Sequence, residues 1–153
     1  MRLEGYDYSQ EGCYFITICV AGRRNILASI SGVGAGSSRP KTELTKFGEI
    51  AKDWLENIHI KYPNCAIDCY VIMPNHIHFI LRINECGRDN PAPTVSQVVG
   101  YYKYQTTKQI NTPGFWQRSY HDRIIRNEAL YQRIWKYIDE NPILWESDCY
   151  FTK

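Results

Sequence analysis

The sequence has almost no excess charge of either sign and no long apolar run. Its 18 Lys and Arg residues against 16 Asp and Glu leave a formal net charge of +2. That balance excludes a uniformly basic surface, although local basic clusters can still contact phosphates. No apolar run approaches the roughly 20 residues that span a bilayer, and the first residues lack the apolar core of a signal peptide. These absences predict a cytoplasmic protein with no membrane partner.

Cysteine motifs are also missing. The six cysteines form no C-x-x-C pair and no zinc-ribbon spacing, which argues against a cysteine-based zinc site. Cys13, Cys19, Cys65 and Cys69 lie in or beside apolar runs, and we interpret them as reduced packing residues. The 153 residues fit one domain, 1–153, whose twelve Tyr and four Trp exceed what its core requires. Some aromatic residues are therefore available for binding.

Strand and helix patterns interleave along the chain. Strands are predicted at 13–20, 26–30, 66–73 and 76–83, with another within 115–126; helices are predicted from Thr45 to Ile58, at 95–110, and from the cap Asn127 to Asn141 and Pro142. A Gly- and Ser-rich segment, 31–40, predicts a mobile loop or loose hairpin turn, and 88–93 a second loop. Pro74 and Asn75 favour a turn between antiparallel strands. We therefore predict an α+β fold with an antiparallel central sheet flanked by helices, rather than a doubly wound parallel sheet.

Two histidines begin the strand at 76–83. Alternation along a strand places His76 and His78 on one face, about 6.6 Å apart, with Ile77 and Phe79 on the other. From that spacing two imidazoles can bind one metal ion, or they can simply be two partly exposed surface residues. A His-x-His-x-His motif is excluded by Ile80, so a metal site needs a third ligand from elsewhere. Such a set with open positions suits Mg²⁺ or Mn²⁺ acting on a phosphate.

Several segments resemble one family. Residues 73–79 (MPNHIHF) resemble the His-hydrophobic-His signature of the IS200-type single-tyrosine (Y1) transposases and of their REP-associated relatives, which accompany repetitive palindromic DNA. Residues 5–10 (GYDYSQ), 14–19 (YFITIC), 115–126 (FWQRSYHDRIIR) and 137–142 (YIDENP) resemble the REP-associated group. These segments span nearly the whole chain and follow the order of the family.

The resemblance implies a ferredoxin/RRM-like HUH nuclease fold and a DNA strand transferase. Such an enzyme recognises a hairpin and cuts single-stranded DNA nearby with Mg²⁺ or Mn²⁺, through a tyrosine that becomes linked to the 5′ phosphate. The resemblance selects Tyr137 as the nucleophile, with Tyr131 and Tyr120 as fallbacks, and Asn141 as a third metal ligand. From the residues alone, the pattern favours Tyr137 as a core-edge residue over Tyr137 as a nucleophile, and Asn141 before Pro142 is equally a helix-ending residue.

Basic and aromatic residues near the last helix predict a DNA-binding surface. The candidates for backbone contact or base stacking are Arg118, Arg123, Arg126, Arg133, Lys103, Lys108, Trp116 and Tyr120. A solvated surface explains the charges equally well, and the aromatic residues can instead pack under a loop. His121 and Asp122 are interpreted as a local polar pair, and His59 as a surface residue.

Three functions remain open from the sequence. The first is an active, nucleoid-associated transposase, a monomer or homodimer; the second is a catalytically silent protein that binds hairpin nucleic acid. The third is a metal-dependent phosphodiesterase that uses water as its nucleophile. If His76 and His78 bind a metal, binding is expected to weaken as the pH falls through about 6.5, because both must be neutral.

Overall fold

The computed structural model describes residues 12–32, 39–84 and 91–153. Within these ranges lie six strands: β1 Gly12–Cys19, β2 Ala28–Ser31, β3 Lys41–Leu44, β4 Cys65–Ile72, β5 His76–Ile83 and β6 His121–Ile125. There are four α-helices, α1 Lys46–Glu56, α2 Ile58–Lys61, α3 Val95–Ile110 and α4 Glu128–Glu140, and short 3-10 helices at Ala21–Arg23 and Trp145–Ser147. None of these helices is long and apolar enough to cross a bilayer.

The central sheet is antiparallel and four-stranded. Its order is β4, β5, β1, β6, while β2 pairs with β3 in a separate hairpin. β1 lies between β5 and β6, and its sequence is rich in the β-branched and aromatic residues that suit an interior strand. The turn at Pro74 and Asn75 joins β4 to β5, and Ile72 pairs with Ile77 directly beside it. The predicted α+β fold, with an antiparallel central sheet flanked by helices, is confirmed.

One face of the sheet carries the main hydrophobic core. Alternate residues of β1 and β5 point to it and are buried: Tyr14, Ile16, Ile18, Ile77, Phe79, Leu81 and Ile83. Helices α1 and α3 cover them with residues that include Leu55, Val98 and Tyr102. Apolar burial of this kind is the dominant favourable term in folding, so this face fixes the position of β1 and β5.

The opposite face is covered by α4. Leu130, Ile134 and Ile138, the stripe predicted from the sequence, are buried against Ile80 of β5. This second cluster is smaller than the first and covers only part of the face. The remaining part carries Thr17 of β1 directly opposite His78 of β5.

The helix ends follow from local capping. Thr45 accepts a hydrogen bond from the Gly48 amide at the start of α1, and Asn127 accepts one from the Leu130 amide at the start of α4. Helix α3 covers the predicted residues 95–110 and begins with a capping box, in which Thr94 and Gln97 exchange hydrogen bonds.

Two predicted elements differ from those observed. The helix predicted from Thr45 to Ile58 ends at Glu56, because Asn57 leaves helical geometry and Ile58 starts α2. The strand predicted at 26–30 begins only at Ala28, since the Leu27 backbone bonds Pro74 and Thr45 instead of a neighbouring strand. The predicted loops at 31–40 and 88–93 fall partly outside the described residues, at 33–38 and 88–90.

Candidate metal and tyrosine site

His76 and His78 lie side by side at the uncovered part of the sheet. Their Nε2 atoms are 3.1 Å apart and their ring centroids 4.5 Å apart. Both side chains are buried, with 0% and 2% of their surface exposed. They share one face of β5, as predicted, but they are not the partly exposed surface residues of the alternative interpretation.

A fixed partner holds the Nδ1 atom of each histidine. Asn75 Oδ1 lies 2.8 Å from Nδ1 of His76, and Thr17 Oγ1 lies 2.7 Å from Nδ1 of His78. Asn75 is itself held, because its Nδ2 donates to the Tyr150 carbonyl oxygen at 2.7 Å. Asn75 Oδ1 can therefore only accept, which places the His76 proton on Nδ1 and leaves a lone pair on Nε2. Outer hydrogen bonds of this kind orient imidazoles that ligate metals.

Burial keeps both histidines neutral. It lowers the pKa of His76 from 6.5 to about 4, with a partly compensating effect of the nearby Asp148 carboxylate. Burial also lowers the pKa of His78 well below 6.5, and the charges of His76 and His121 add to that shift. A neutral imidazole is the form that ligates a metal, so near pH 7 neither histidine has to lose a charge to bind one.

A carboxylate completes the cluster. Ligand atoms of His76, His78 and Asp148 all lie within 4.8 Å of one another. Asn141 lies beside them and donates through Nδ2 to Asp148 Oδ2 at 3.1 Å. Asn141 is 1% exposed, and its Oδ1 makes no hydrogen bond of ordinary geometry with any described residue. The Asn141 side chain also interacts with His76, whose pKa it raises, so this amide lies against the histidine pair.

These residues fit a divalent metal ion. Two ligands at right angles around an ion, each about 2.1 Å from it, are about 3.0 Å apart. The observed Nε2 separation of 3.1 Å matches that spacing. Two imidazoles, one carboxylate and a further amide oxygen form a mixed nitrogen and oxygen set of the kind that divalent ions bind.

Tyr137 stands next to the histidine pair. Its ring centroid lies 5.4 Å from that of His78 and 6.0 Å from that of Phe15. The side chain is 38% exposed at the end of α4, so a large substrate can reach it. Burial raises the pKa of Tyr137 and the Asp148 charge raises it further, whereas the Asn141 side chain lowers it. The metal-free tyrosine is therefore a protonated phenol near pH 7.

Sequence reasoning missed the C-terminal part of the site. Tyr150 lies over His76 with ring centroids 4.4 Å apart, and burial raises its pKa to about 12. The ring centroid of Trp145 lies 6.1 Å from that of His76. Asp148 and Tyr150 belong to a segment without strand or helix periodicity, which docks through side-chain hydrogen bonds such as that from Asn25 to the Thr152 carbonyl. No local pattern predicts such docking.

A cleft of about 340 Å³ opens beside the pair, and we call it the histidine cleft. Residues that line it include Phe15, His78, Asp122, Arg123, Tyr137 and Tyr150. The two fallback tyrosines line no part of it: Tyr131 donates to Asp68 Oδ2, and the Tyr120 hydroxyl bonds Ser96. Among the residues that the structure describes, Tyr137 and Tyr150 are thus the tyrosines that the fold brings to the histidines.

The predicted DNA-binding residues divide into two groups. Arg118, Arg123, Arg126, Arg133 and Lys108 are exposed. Trp116 was predicted to stack on bases, but it is only 5% exposed and its indole N–H donates to Thr106 inside the core. Lys103 donates to the carbonyl oxygens of Gln117 and Arg118, so it holds that segment in place. Tyr120 is half-buried against the main core.

Comparison with known proteins found relatives of sequence and of structure. No family model matches the chain. An uncharacterised protein of Haemophilus influenzae is 33% identical over 168 aligned positions, which cover 97% of this chain and 89% of that protein. A REP-associated tyrosine transposase bound to a REP hairpin superposes with a TM-score of 0.69 and 24% identity, over 94% of this chain and 73% of its own. A candidate transposase of Deinococcus radiodurans superposes with a TM-score of 0.54 and 16% identity, over 92% of this chain and 96% of its own. The fold implied by the sequence motifs is thereby confirmed.

Proposed function

We propose that this chain cuts and rejoins single-stranded DNA with a divalent metal. The chain belongs to one family with the Haemophilus influenzae protein and has the fold of a REP-associated tyrosine transposase. The observation that carries the proposal is the placement of Tyr137 beside His78, with ring centroids 5.4 Å apart in one open cleft. A nucleophile and a set of metal ligands at that spacing suit attack on a phosphodiester.

The substrate we propose is a DNA hairpin with flanking single strand. A REP hairpin is the ligand bound in the structural relative. Exposed arginines around β6 and α4 support a polyanionic substrate. They are Arg118, Arg123, Arg126 and Arg133. Among the described residues, none of their guanidinium groups has a hydrogen-bond or ion-pair partner. By contrast, Arg39 pairs with Asp139 and Arg82 with Asp68. Unpaired guanidinium groups are free to bind phosphate oxygens.

His76, His78 and Asp148 would hold the metal, with Asn141 Oδ1 as a further ligand. A bound divalent ion polarises the scissile phosphate and offsets its charge in the transition state. Asn141 serves both halves of the site, since it bonds Asp148 through Nδ2 and lowers the pKa of Tyr137. Thr17 and Asn75 fix the ring orientations from the outside.

Tyr137 then carries out the covalent step. Its hydroxyl oxygen attacks phosphorus, the bond from phosphorus to the 3′ oxygen breaks, and the 5′ phosphate stays on the tyrosine. The phenol loses one proton, and the departing 3′ oxygen gains one, so that a free 3′ hydroxyl results. The phosphotyrosyl ester keeps the energy of the broken bond, and attack by another 3′ hydroxyl reverses the step without ATP.

Tyr150 is the structural rival to Tyr137 as nucleophile. It stacks on His76 at an interplanar angle of 32°, and its backbone is tied to Asn75 and Asp148. Tyr137 projects from a regular helix and is the more accessible of the two at 38% exposure. We therefore assign the attack to Tyr137 and the covering of the His76 ring to Tyr150. One chain supplies every one of these groups, so the homodimer, which stays a prediction, is not needed to complete the site.

The test is a covalent adduct assay. Purified protein is mixed with labelled hairpins that carry single-stranded flanks, taken from the DNA around its own gene, and with Mn²⁺ or Mg²⁺. We expect an adduct that survives denaturing electrophoresis, disappears in Tyr137→Phe and persists in Tyr150→Phe. An adduct lost only in Tyr150→Phe would reverse the assignment.

The same assay separates the two rival functions. Hairpin binding without any adduct in the wild-type protein would establish the silent binder. Cleavage without an adduct, unchanged in Tyr137→Phe, would establish a phosphodiesterase that uses water.

A further inference from the structure

A second cleft also borders Tyr137. Its volume is about 320 Å³, and we call it the arginine cleft; it is lined by Phe15, Arg123, Leu130, Arg133, Ile134 and Tyr137. Phe15, Arg123 and Tyr137 line the histidine cleft as well. The two clefts are therefore neighbours that share these three side chains.

The floor and the rim of the arginine cleft differ in polarity. Leu130 and Ile134, at 8% and 4% exposure, give it an apolar floor, and the half-buried Phe15 ring stands at the boundary with the histidine cleft. Arg123 and Arg133 are exposed, and neither guanidinium group contacts another described residue through a hydrogen bond or ion pair. An apolar surface flanked by two free cations matches a ligand with a flat apolar part and two negative groups.

The strand register places the arginine cleft two residues along the sheet from the candidate metal ligands. Phe15 pairs with Arg123, and two residues along the same strands Thr17 pairs with His121. Thr17 is the residue whose hydroxyl bonds His78. Two positions along a strand are about 6.6 Å. A DNA strand whose phosphate lies at the histidine cleft thus places a neighbouring nucleotide within reach of the arginine cleft.

We infer that the arginine cleft is a base-binding subsite for one nucleotide next to the scissile phosphate. The base lies on Leu130, Ile134 and the Phe15 ring, while Arg123 and Arg133 bind the phosphates on either side of it. This inference deepens the proposed function and rests on it. Stacking of a base on apolar and aromatic side chains is favourable, so the subsite adds both affinity and a preference for the base at one position.

The test is binding observed by NMR, which does not depend on cleavage. The Tyr137→Phe protein, with labelled Leu and Ile methyl groups, is titrated without metal with a short single-stranded oligonucleotide, and then with an abasic strand of equal length. We expect the intact strand to shift the methyl signals of Leu130 and Ile134 through the ring currents of a base. The abasic strand should bind without shifting them. Unchanged methyl signals at saturation, or equal shifts with both strands, would overturn the inference.

A pair of arginine variants supplies the second readout. Arg133→Gln should weaken binding of the intact strand roughly tenfold. Arg126→Gln, which alters an exposed arginine outside both clefts, should weaken it much less. Equal losses in both variants would indicate a diffuse basic surface and no subsite. Absence of a covalent adduct together with methyl shifts specific to the base would instead disprove the cleavage activity and leave the subsite standing.

Discussion

The two faces of the central sheet are built by the same strands and do different things. Ile77 and Phe79 alternate with His76 and His78 along β5, so a single strand supplies both faces. Towards α1 and α3 the sheet is covered by a continuous apolar core. Towards α4 the apolar cover is the smaller cluster around Ile80, and the rest of the face is polar.

The difference shows how a small domain places polar ligands in a buried position. Neutral, hydrogen-bonded imidazoles tolerate burial that a charged group would not. The core on the first face keeps the strands rigid, so the second face can carry Thr17, His76 and His78 without regular packing around them. Of two neighbouring substitutions on β5, the one on the polar face should therefore reduce metal binding, and the one on the apolar face should reduce stability.

The largest effect is expected from His78→Ala. The variant lacks one of the two imidazole ligands, so its Mn²⁺ affinity should fall by more than about 100-fold. Loss of a residue that only orients a ligand typically costs up to about 100-fold. Titration calorimetry with Mn²⁺ measures it. His59→Ala is the matched control, since His59 is exposed on α2 and contacts the Glu56 carbonyl within the same region of the chain. Equal affinities of His78→Ala and wild type would contradict the ligand assignment.

Phe79→Ala tests the other face at the adjacent position. Phe79 is 1% exposed in the main core, so its truncation should lower the free energy of unfolding by about 3–5 kcal/mol. Urea denaturation measures the change. Tyr104→Ala, at a residue that is 64% exposed, should change it by less than about 0.5 kcal/mol. A folded Phe79→Ala protein should still bind Mn²⁺; loss of binding at unchanged stability would mean that the faces are not separate in function.

The stability of the metal-free protein should depend on pH through the buried histidines. Burial lowers the pKa of His76 from 6.5 to about 4. The unfolded chain therefore binds more protons than the folded one between these values, and stability falls as the pH drops from 6.5 towards 4. His76 alone accounts for at most roughly 3 kcal/mol.

Urea denaturation across this pH window, in chelator, measures that dependence. The His76→Ala, His78→Ala double variant should show a flatter profile, and an unchanged slope would assign the effect to other groups. Loss of metal was expected near pH 6.5 from the sequence; burial instead moves protonation of the free pair to lower pH.

Thr17→Val should have the smallest of these effects. The substitution keeps the shape of the side chain but removes the hydroxyl that contacts His78 Nδ1 at 2.7 Å. Removal of such an outer partner typically lowers metal affinity about 10- to 100-fold. Thr42→Val on the exposed strand β3 is the control. Unchanged Mn²⁺ affinity would show that the histidine rings are oriented by packing alone.

Features set by local sequence were the ones that could be predicted. Periodicity predicts the helix at 95–110 and the buried stripe of Leu130, Ile134 and Ile138. Short-range hydrogen bonds explain the helix caps Thr45 and Asn127. The hairpin between β4 and β5 follows from Pro74 and Asn75. The shared face of the two histidines follows from strand alternation.

Features set by tertiary contact could not be predicted. Asp148 and Tyr150 reach the histidines only because the C-terminal segment docks on Asn75 and Asn25. Trp116 lies among arginines in the sequence, as a stacking residue would, yet its N–H bonds Thr106 of α3 in the core. Neither contact leaves a local pattern.

The most direct test of the central claim is to identify the residue that carries the DNA. After reaction with a hairpin substrate, digestion after Lys, Arg and Glu separates the two tyrosines, because residues 137–140 and 147–153 then fall in different peptides. Mass spectrometry should find the nucleotide on the peptide that contains Tyr137. A nucleotide on the peptide with Tyr150, or on neither peptide from a protein that cleaves, would contradict the account.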